Sequence, residues 1–248
     1  MDKDLIKNRF LRASKTYNKE AVVQKKIIDK LIEEVLSLES NNYDSILEIG
    51  CGTGLLTKEI IYNFNFKHLN VNDICPNHLF GGLDNIITNY IEGDAENIHL
   101  PENQDLVISC SAIQWFTSID NFFSKINNTL NKDGIFAFTS FGKTNLKEIK
   151  TITSKGLEYK SLEGNKELIS KHFEIIYCFE QEIKLYFSSA KEILKHLKLT
   201  GVTATSQKPW TKTDLNLFTQ EYDKLFKSEK GFELTYNPIY FICKKDER

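Results

Sequence analysis

The sequence is poor in arginine, has an odd number of cysteines and contains no long apolar run. Only three of its 32 basic residues are arginine, and 34 acidic residues leave a formal net charge of -2. Nucleic-acid-binding proteins usually carry a basic excess, so this balance argues against nucleic acid as a partner. No stretch approaches the roughly 18 consecutive apolar residues of a membrane span, and the first residues lack the apolar segment of a signal peptide. We therefore predict a cytoplasmic protein without membrane contact.

The five cysteines show no C-x-x-C spacing, and their odd number prevents complete pairing. Free thiols in a reducing compartment fit this usage, and we predict no metal site. The chain has 248 residues, of which 41% are hydrophobic and 27% are charged. This composition is typical of a globular protein with a sizeable buried core.

The order of the predicted elements indicates an α/β fold. Residues 1–40 carry apolar side chains at helical spacings, and short apolar runs then alternate with helical ones. This alternation is typical of βαβ units in an open sheet. We predict a doubly wound, Rossmann-like sheet of seven strands with an antiparallel C-terminal strand pair and a helical lid. Two long strands, over residues 172–187 and 232–244, are expected to form that pair.

A glycine-rich loop follows the first predicted strand and opens a helix. Its sequence, Gly50-Cys51-Gly52-Thr53-Gly54, lets the backbone turn sharply and approach a ligand closely. Asp73 ends the next predicted strand, where a carboxylate accepts hydrogen bonds from both ribose hydroxyls. The G-x-G-x-G spacing leaves no evident diphosphate site, and Glu48 before the loop suits a cationic amine. These features favour S-adenosyl-L-methionine (SAM) over a plain strand–turn–helix corner.

A third polar segment completes the predicted cofactor pocket. Asp94 follows the third strand and is expected to accept from the adenine amino group, while the Ala95 N–H donates to a ring nitrogen. The fourth strand delivers residues 109–115 to the same sheet edge, where such sheets bind ligands. The pocket then resembles that of class I SAM-dependent methyltransferases. Its predicted cofactor-binding residues are Glu48, Gly50, Cys51, Gly52, Gly54, Asp73, Ile74, Asp94, Ala95 and Ser109.

Segments along nearly the whole chain resemble the malonyl-carrier-protein O-methyltransferases of biotin synthesis. The segments that carry the resemblance are Phe10 to Tyr17 with Val23-Gln24, Ser111 to Trp115, Ala137 to Phe141 with Asn145 to Glu148, Leu197 to Val202, and Leu234-Thr235-Tyr236. Gln114-Trp115 and Leu234-Thr235-Tyr236 are the most specific of these. The chain departs from the family at Asn72, where an apolar residue is usual, and in the short glycine-rich region after Pro76.

The resemblance implies methyl transfer from SAM to the free carboxylate of a malonyl thioester on acyl carrier protein. That carboxylate is already ionised at neutral pH, so we expect none of the five histidines to act as a base. The enzyme then needs in-line positioning and exclusion of water. Neutral donors, Tyr17, Gln114 and Trp115, are predicted to hold the carboxylate, with Arg12 or Arg9 paired to its distal oxygen. Core packing of the aromatic residues and a solvated face for the arginines are the alternatives.

A basic segment points to an acidic partner. Residues 184–212 contain six lysines, including Lys208, and one acid, Glu192. On the predicted helix over residues 189–199, Lys191, Lys195 and Lys198 share the outer face. Because acyl carrier proteins are acidic, we predict that this face docks the carrier; an ordinary solvated face is the alternative.

These inferences divide the chain into four parts. They are an N-terminal helical lid (1–42), a SAM-binding α/β core (43–187), a helical insertion over the acceptor site (188–230) and the final strand of the core sheet (231–248). The lid is expected to close over SAM, because Tyr17 has to reach the site from outside the sheet. Competing functions are methylation of another small-molecule acid or quinone precursor, a SAM-binding scaffold without catalysis, and, least favoured, nucleic-acid methylation.

Overall fold

A computed structural model describes residues 2–76, 85–202 and 210–246 of the chain. Within these residues the chain forms ten strands, β1 (Asn42–Ile49), β2 (Asn65–Asp73), β3 (Asn89–Glu92), β4 (Gln104–Ser109), β5 (Leu130–Phe141), β6 (Phe173–Glu180), β7 (Ile183–Phe187), β8 (Lys227–Ser228), β9 (Gly231–Tyr236) and β10 (Pro238–Lys245). The same residues form eight helices, α1 (Lys3–Glu20), α2 (Val22–Leu36), α3 (Leu55–Asn63), α4 (Ile119–Thr129), α5 (Lys147–Thr153), α6 (Leu162–Ile169), α7 (Ala190–Leu199) and α8 (Lys212–Phe226). None of the described helices is long and apolar enough to cross a membrane.

Seven strands form the main sheet in the order β3-β2-β1-β4-β5-β10-β6. Strands β1 to β5 run parallel to one another, whereas β10 is antiparallel to both β5 and β6. The predicted doubly wound sheet with an antiparallel C-terminal pair is therefore confirmed. The strand order reverses between β1 and β4, and open α/β sheets bind ligands at the carboxyl ends of the strands at such a point.

Each of the two segments predicted as one long strand divides into two strands, of which one belongs to the main sheet and the other to a second sheet. Strands β7, β9 and β8 form this three-stranded sheet. The prediction of one strand over 172–187, and of one final core strand over 231–248, was wrong because the chain turns a corner at Gln181 and at Asn237. The Asn237 side chain donates to the Gln181 carbonyl at 3.0 Å, which ties the two corners together. Of the four strands that these two segments form, β6 and β10 belong to the main sheet.

The N-terminal segment is also more divided than predicted. The helix expected over residues 1–40 breaks at Ala21, whose ψ of 48° lies outside the helical range. The buried N–H of Ala21 donates to the Tyr17 carbonyl and closes α1, while its carbonyl accepts from Lys25 and starts α2. The N-terminal segment therefore consists of two helices, α1 and α2.

Two apolar layers cover the faces of the main sheet. Helices α2 and α3 pack on one face, and α4 and α6 pack on the other. Neighbouring residues of β1 alternate between the layers, since Ile46 packs with the first and Leu47 with the second. This packing fixes the strand ends, and with them the loops that follow β1, β2 and β4.

Candidate active site

A cleft opens at the carboxyl ends of β1, β2 and β4. It encloses about 1050 Å³, its open mouth included, which is ample for a nucleoside-sized cofactor. The loops after these strands form its floor, and one face of α1 forms part of its wall. The cleft lies where the reversal of strand order predicts a ligand site.

The glycine loop adopts the conformation that its sequence predicts. The N–H groups of Gly50 and Cys51 donate to the Asn72 carbonyl at the end of β2, at 2.8 and 3.0 Å. Gly50 and Gly52 have φ values of 74° and 53°, in the left-handed region that favours glycine. A Cβ on Gly50 would collide with the Cβ of Ala112, whereas one on Gly52 would meet nothing within 4 Å. The chain thus needs glycine at position 50 for close packing as well as for φ.

Asp73 holds the glycine loop in place from the end of β2. Its two carboxylate oxygens accept from the Gly52 N–H at 2.8 Å and from the Cys75 N–H at 2.7 Å. Burial raises the pKa of Asp73, and the hydrogen bonds from Cys75 and Gly52 oppose that shift. Asp73 and its neighbour Ile74 both line the cleft, as the sequence predicted. The carboxylate has lone pairs left for the ribose hydroxyls.

Glu48 lies fully buried beneath the glycine loop. One of its oxygens accepts from the Thr57 hydroxyl, while Oε1 has no hydrogen-bond partner. Burial raises the pKa of Glu48 from its ordinary value of 4.5 to about 8; the Thr57 hydrogen bond opposes this shift and Asp73 adds to it. Glu48 does not itself line the cleft. A cationic amine near this group would favour the ionised carboxylate.

Replacing Glu48 by glutamine is expected to flatten the dependence of the unfolding free energy on pH. The folded protein keeps a proton on Glu48 up to about pH 8, whereas the unfolded chain releases it near 4.5, so this stabilisation fades as the pH rises through that window. Chemical denaturation at about pH 5 and about pH 8 measures the difference, which we expect to be on the order of a few kcal/mol. Equal pH dependence in both proteins would contradict the raised pKa.

Hydrogen bonds stabilise the turn around Asp94, which is the third segment of the predicted pocket. Asp94 Oδ1 accepts from Lys3 Nζ at 3.3 Å and from the Glu96 N–H at 3.2 Å. Asn72, the departure from the family pattern, donates from Nδ2 to the carbonyls of Ile91 and Gly93 at 2.8 and 3.0 Å. The polar residue at position 72 therefore fixes the turn that leads to Asp94. Both Asp94 and Ala95 line the cleft.

Lys125 also supports this turn, although the sequence analysis did not single it out. It extends from α4, and its Nζ donates to the carbonyls of Ala95, at 2.9 Å, and Ile98. Burial lowers the pKa of Lys125, and the charge of Asp94 opposes this shift. No local motif marks this lysine, because its partners are backbone carbonyls about 30 residues earlier in the chain.

Aromatic and neutral polar groups form the other end of the cleft. Tyr17 and Trp115 line it, as do Cys110 and Ser111. Burial, followed by the charges of Cys110 and Asp73, raises the pKa of Tyr17 well above its ordinary value, so this phenol stays neutral and can donate. The Trp115 Nε1–H is buried and has no partner. This end therefore offers hydrogen-bond donors that carry no charge.

The turn after β4 carries backbone strain at this same end. Ser111 has a φ of 54°, and its N–H donates to the Thr139 hydroxyl at 2.9 Å. The Gln114 amide donates to the Ser111 carbonyl at 2.6 Å, while Gln114 Oε1 is buried without a partner. Such strain in non-glycine residues is enriched at active sites. Gln114 does not line the cleft and stands behind Ser111.

Three other predicted site residues lie outside the cleft lining. Arg12 is exposed on α1, Gly54 begins α3, and the buried Ser109 hydroxyl donates to the Ile49 carbonyl at 2.9 Å. The assignments of Arg12 as a substrate ligand and of Gly54 and Ser109 as cofactor contacts remain predictions. Cys51, by contrast, lines the cleft and is buried. His78 lies outside the described residues.

The stripe of α1 that faces the cleft extends well beyond Tyr17, the one residue of it that was predicted to lie at the site. Lys3, Ile6, Phe10, Ser14 and Tyr17 all line it. Phe10 meets Trp115 edge to face, with ring centroids 5.7 Å apart. These residues follow one another at spacings of three and four, so helical periodicity read backwards from Tyr17 identifies the stripe.

The charges of the cleft fit SAM better than a dinucleotide. Asp73 and Asp94 line it together with one basic residue, Lys3. This acidic balance suits the sulfonium and amine of SAM and disfavours a diphosphate. The residues present therefore fit the cofactor that the sequence predicts.

Comparison with known proteins shows similarity along the whole chain. Residues 47–138 match the family described as "Methyltransferase domain". The malonyl-acyl carrier protein O-methyltransferase of Bacteroides thetaiotaomicron is 38% identical, over 99% of this chain and 99% of that protein. The enzyme of the same name from Calditerrivibrio nitroreducens is 38% identical, over 97% and 96% of the two chains. A relative from Bacteroides fragilis is 41% identical over 97% of this chain, which spans half of that longer protein.

Solved structures share the fold at much lower identity. A putative methyltransferase from Bacillus halodurans superposes with a TM-score of 0.59 at 15% identity, over 88% of this chain and 98% of that one. The N-methyltransferase NodS of Bradyrhizobium japonicum, solved with S-adenosyl-L-homocysteine, gives a TM-score of 0.51 at 11% identity, over 94% and 99% of the two chains. These similarities support the fold alone.

Proposed function

Because this chain belongs to the malonyl-acyl carrier protein O-methyltransferase family, we propose that it methylates the free carboxylate of malonyl-acyl carrier protein. The chain is a SAM-dependent methyltransferase. The methyl ester hides a negative charge, so that fatty-acid enzymes can extend the product as a primer for biotin synthesis.

One observation carries the choice of acceptor, namely the neutral character of the cleft end that contains Tyr17 and Trp115. Among the described residues that line the cleft there is no histidine. The buried His196 instead contacts the Tyr236 hydroxyl at 2.9 Å, and burial lowers its pKa. A carboxylic acid is ionised at neutral pH, so its oxygen can attack without a general base. Neutral donors are what such a nucleophile requires, because they hold it without a full opposing charge.

The chain's own residues then position the acceptor and exclude water. SAM supplies a methyl group on a positively charged sulfur. The Tyr17 hydroxyl donates to one carboxylate oxygen, and the unpartnered Trp115 Nε1–H is available to the substrate. The edge-to-face pair of Phe10 and Trp115 covers the site from the side of α1. Alignment and desolvation in such a site provide the rate enhancement.

The exposed face of α7 supports docking of the acidic carrier. Lys191, Lys195 and Lys198 are all exposed, while Ile193 and Leu197 are buried beneath them. Lys184 lies outside this group and forms an ion pair with Glu233 at 2.8 Å, and Lys208 lies outside the described residues. A face with three exposed positive charges raises the association rate with an acidic partner.

Replacing Lys191, Lys195 and Lys198 together by glutamate is expected to raise the KM for malonyl carrier protein by about tenfold or more at low salt, since it reverses the charge of the docking face. We expect kcat to change little, because these exposed side chains do not line the cleft. Steady-state kinetics at two salt concentrations measures both constants. The matched control replaces three exposed lysines on α2 and α3, Lys25, Lys26 and Lys58, by glutamate. An unchanged KM, or an equal rise in the control, would contradict the docking face.

A comparison of acceptors tests the proposed function against its alternative. Methyl transfer from radiolabelled SAM is measured to malonyl carrier protein, to free malonate and to a quinone precursor. We expect the malonyl carrier to be preferred, because only it presents both the carboxylate and an acidic protein surface. Preference for either small acceptor would favour the alternative function.

A further inference from the structure

A second cavity borders the cofactor cleft at Trp115, which lines both. It encloses about 500 Å³, its mouth included. Ile149 and Lys150 of α5 form one side, Leu197 of α7 forms another, and the segment from Lys155 to Tyr159 completes the wall. The glycine loop and Asp73, which form the cofactor cleft, do not account for this second cavity.

The cavity combines an apolar interior with polar groups at defined places. Ile149, Leu157 and Leu197 provide apolar walls. Tyr159 also lines it, and burial raises the pKa of this phenol to about 12, opposed by a hydrogen bond with Asn145. Tyr159 is therefore neutral and able to donate. Lined in this way, the cavity suits a narrow chain that carries amide groups.

Two exposed lysines on the cavity wall add positive charge. Lys150 contacts Glu158 at 2.9 Å, and both side chains of this pair are largely exposed. Such an exposed pair contributes little energy, so Lys150 is free to exchange Glu158 for a ligand anion. Lys155, also exposed, lines the same cavity. Lys155 also lies close enough to Asp214 of α8 to contribute to lowering the pKa of that carboxyl. A phosphodiester bound in the cavity would compete with Glu158 and Asp214 for these two lysines.

We propose that this cavity binds the phosphopantetheine arm through which the carrier presents its malonyl group, an inference that rests on the proposed function. The carboxylate must reach the cofactor at Trp115, so the thioester and the rest of the arm have to lead away from the cofactor cleft. The second cavity shares Trp115 with the cofactor cleft, and its wall contains two lysines that suit the terminal phosphodiester. We name it the arm cavity.

The position of α7 agrees with this path. Leu197 lines the arm cavity from the buried side of α7, while Lys195 and Lys198 are exposed on the same helix. A carrier docked on this exposed face would therefore hold its prosthetic arm beside the cavity. The docking face and the arm cavity thus share helix α7, whose exposed side carries the lysines and whose buried side reaches the cavity.

Two variants test the arm cavity. Leu157→Trp narrows it, and we expect the kcat/KM for malonyl carrier protein to fall by about tenfold or more. Replacing Lys150 and Lys155 together by alanine removes the positive charge, and we expect the KM for the carrier to rise by about tenfold with little change in kcat. Affinity for S-adenosyl-L-homocysteine, measured by calorimetry, should equal that of the wild type, because the cofactor cleft is intact.

The control is Lys160→Ala, an exposed lysine next to Tyr159 that does not line the cavity. Carrier kinetics within threefold of the wild type in both cavity variants would overturn the inference and leave the proposed function standing. A loss of cofactor affinity as large as the loss of activity would also overturn the inference, because the substitution would then act by disturbing the fold and not by blocking the cavity. Absence of any product with the wild-type protein would overturn the proposed function, and the arm cavity with it.

Discussion

Replacing Gly50 by alanine is expected to lower the affinity for SAM by about 100-fold or more. The new Cβ would collide with the Cβ of Ala112, and the residue would have to keep a φ of 74°. Overpacking and a left-handed conformation together cost about 3 kcal/mol, which corresponds to roughly 100-fold in binding. The loop can relieve the collision only by moving away from Ala112, which displaces the backbone that faces the cofactor. Calorimetric titration with S-adenosyl-L-homocysteine measures the loss.

Two further variants separate the collision from the backbone conformation. Gly52→Ala keeps a positive φ but places its Cβ in open space, so we expect only about a tenfold loss. Combining Gly50→Ala with Ala112→Gly removes the collision partner and should restore part of the affinity. Equal losses in Gly50→Ala and Gly52→Ala would contradict the packing argument, and thermal unfolding of each variant identifies any that fails to fold.

Replacing Asp73 by alanine is expected to have an effect of similar size. It removes the acceptor for the buried N–H groups of Gly52 and Cys75 as well as the proposed ribose ligand. Loss of two charge-assisted hydrogen bonds and of the ribose contacts costs about 3 kcal/mol or more, which again predicts roughly 100-fold weaker binding. Asp73→Asn keeps one carbonyl oxygen as an acceptor, and we expect it to retain more affinity than the alanine variant.

Asp105 provides a matched control for Asp73. Its carboxylate also accepts from two backbone N–H groups, those of Asp44 and Ser45, at 2.7 and 3.0 Å. This site lies at the amino end of β4, at the opposite edge of the sheet from the cleft. Asp105→Ala should therefore lower stability and leave cofactor affinity unchanged. A comparable loss of cofactor affinity in both alanine variants would show that Asp73 acts through stability alone.

The sequence was sufficient to predict which strand ends meet at the cleft, whereas the cofactor contacts themselves remain predictions. Gly50 follows β1, Asp73 ends β2 and Asp94 comes shortly after β3, so the strand pattern alone places them at one sheet edge. Tyr17 was assigned through its resemblance to a family segment, and α1 brings it to the cleft. Lys3 and Lys125 were missed because their partners are distant in sequence and no local motif announces them.

The part of the site that is proposed to hold the methyl acceptor was harder to predict. Its shape depends on where the chain turns from one sheet into the other. The sequence does mark both corners, the first by the polar run Glu180-Gln181-Glu182 and the second by Asn237-Pro238. These signals are short and lie inside long apolar segments, so each segment was predicted as one strand. The corners place β7 and β9 in a separate sheet, and Tyr236 of β9 packs against His196 of α7. The arm cavity lies between α5 and α7, whose relative position is a tertiary property. Apart from the final core strand, which begins only at Pro238, the division of the chain into four parts remains a prediction, as does closure of the lid.

The most direct test of the account is the intact mass of malonyl carrier protein after incubation with this protein and SAM. The account predicts that the malonyl carrier gains one methyl group, and that succinyl carrier protein under the same conditions gains none or reacts far more slowly. Conversion should be lost in the Gly50→Ala and Asp73→Ala variants. No gain of mass on the malonyl carrier, with normal binding of SAM by calorimetry, would contradict the proposed function.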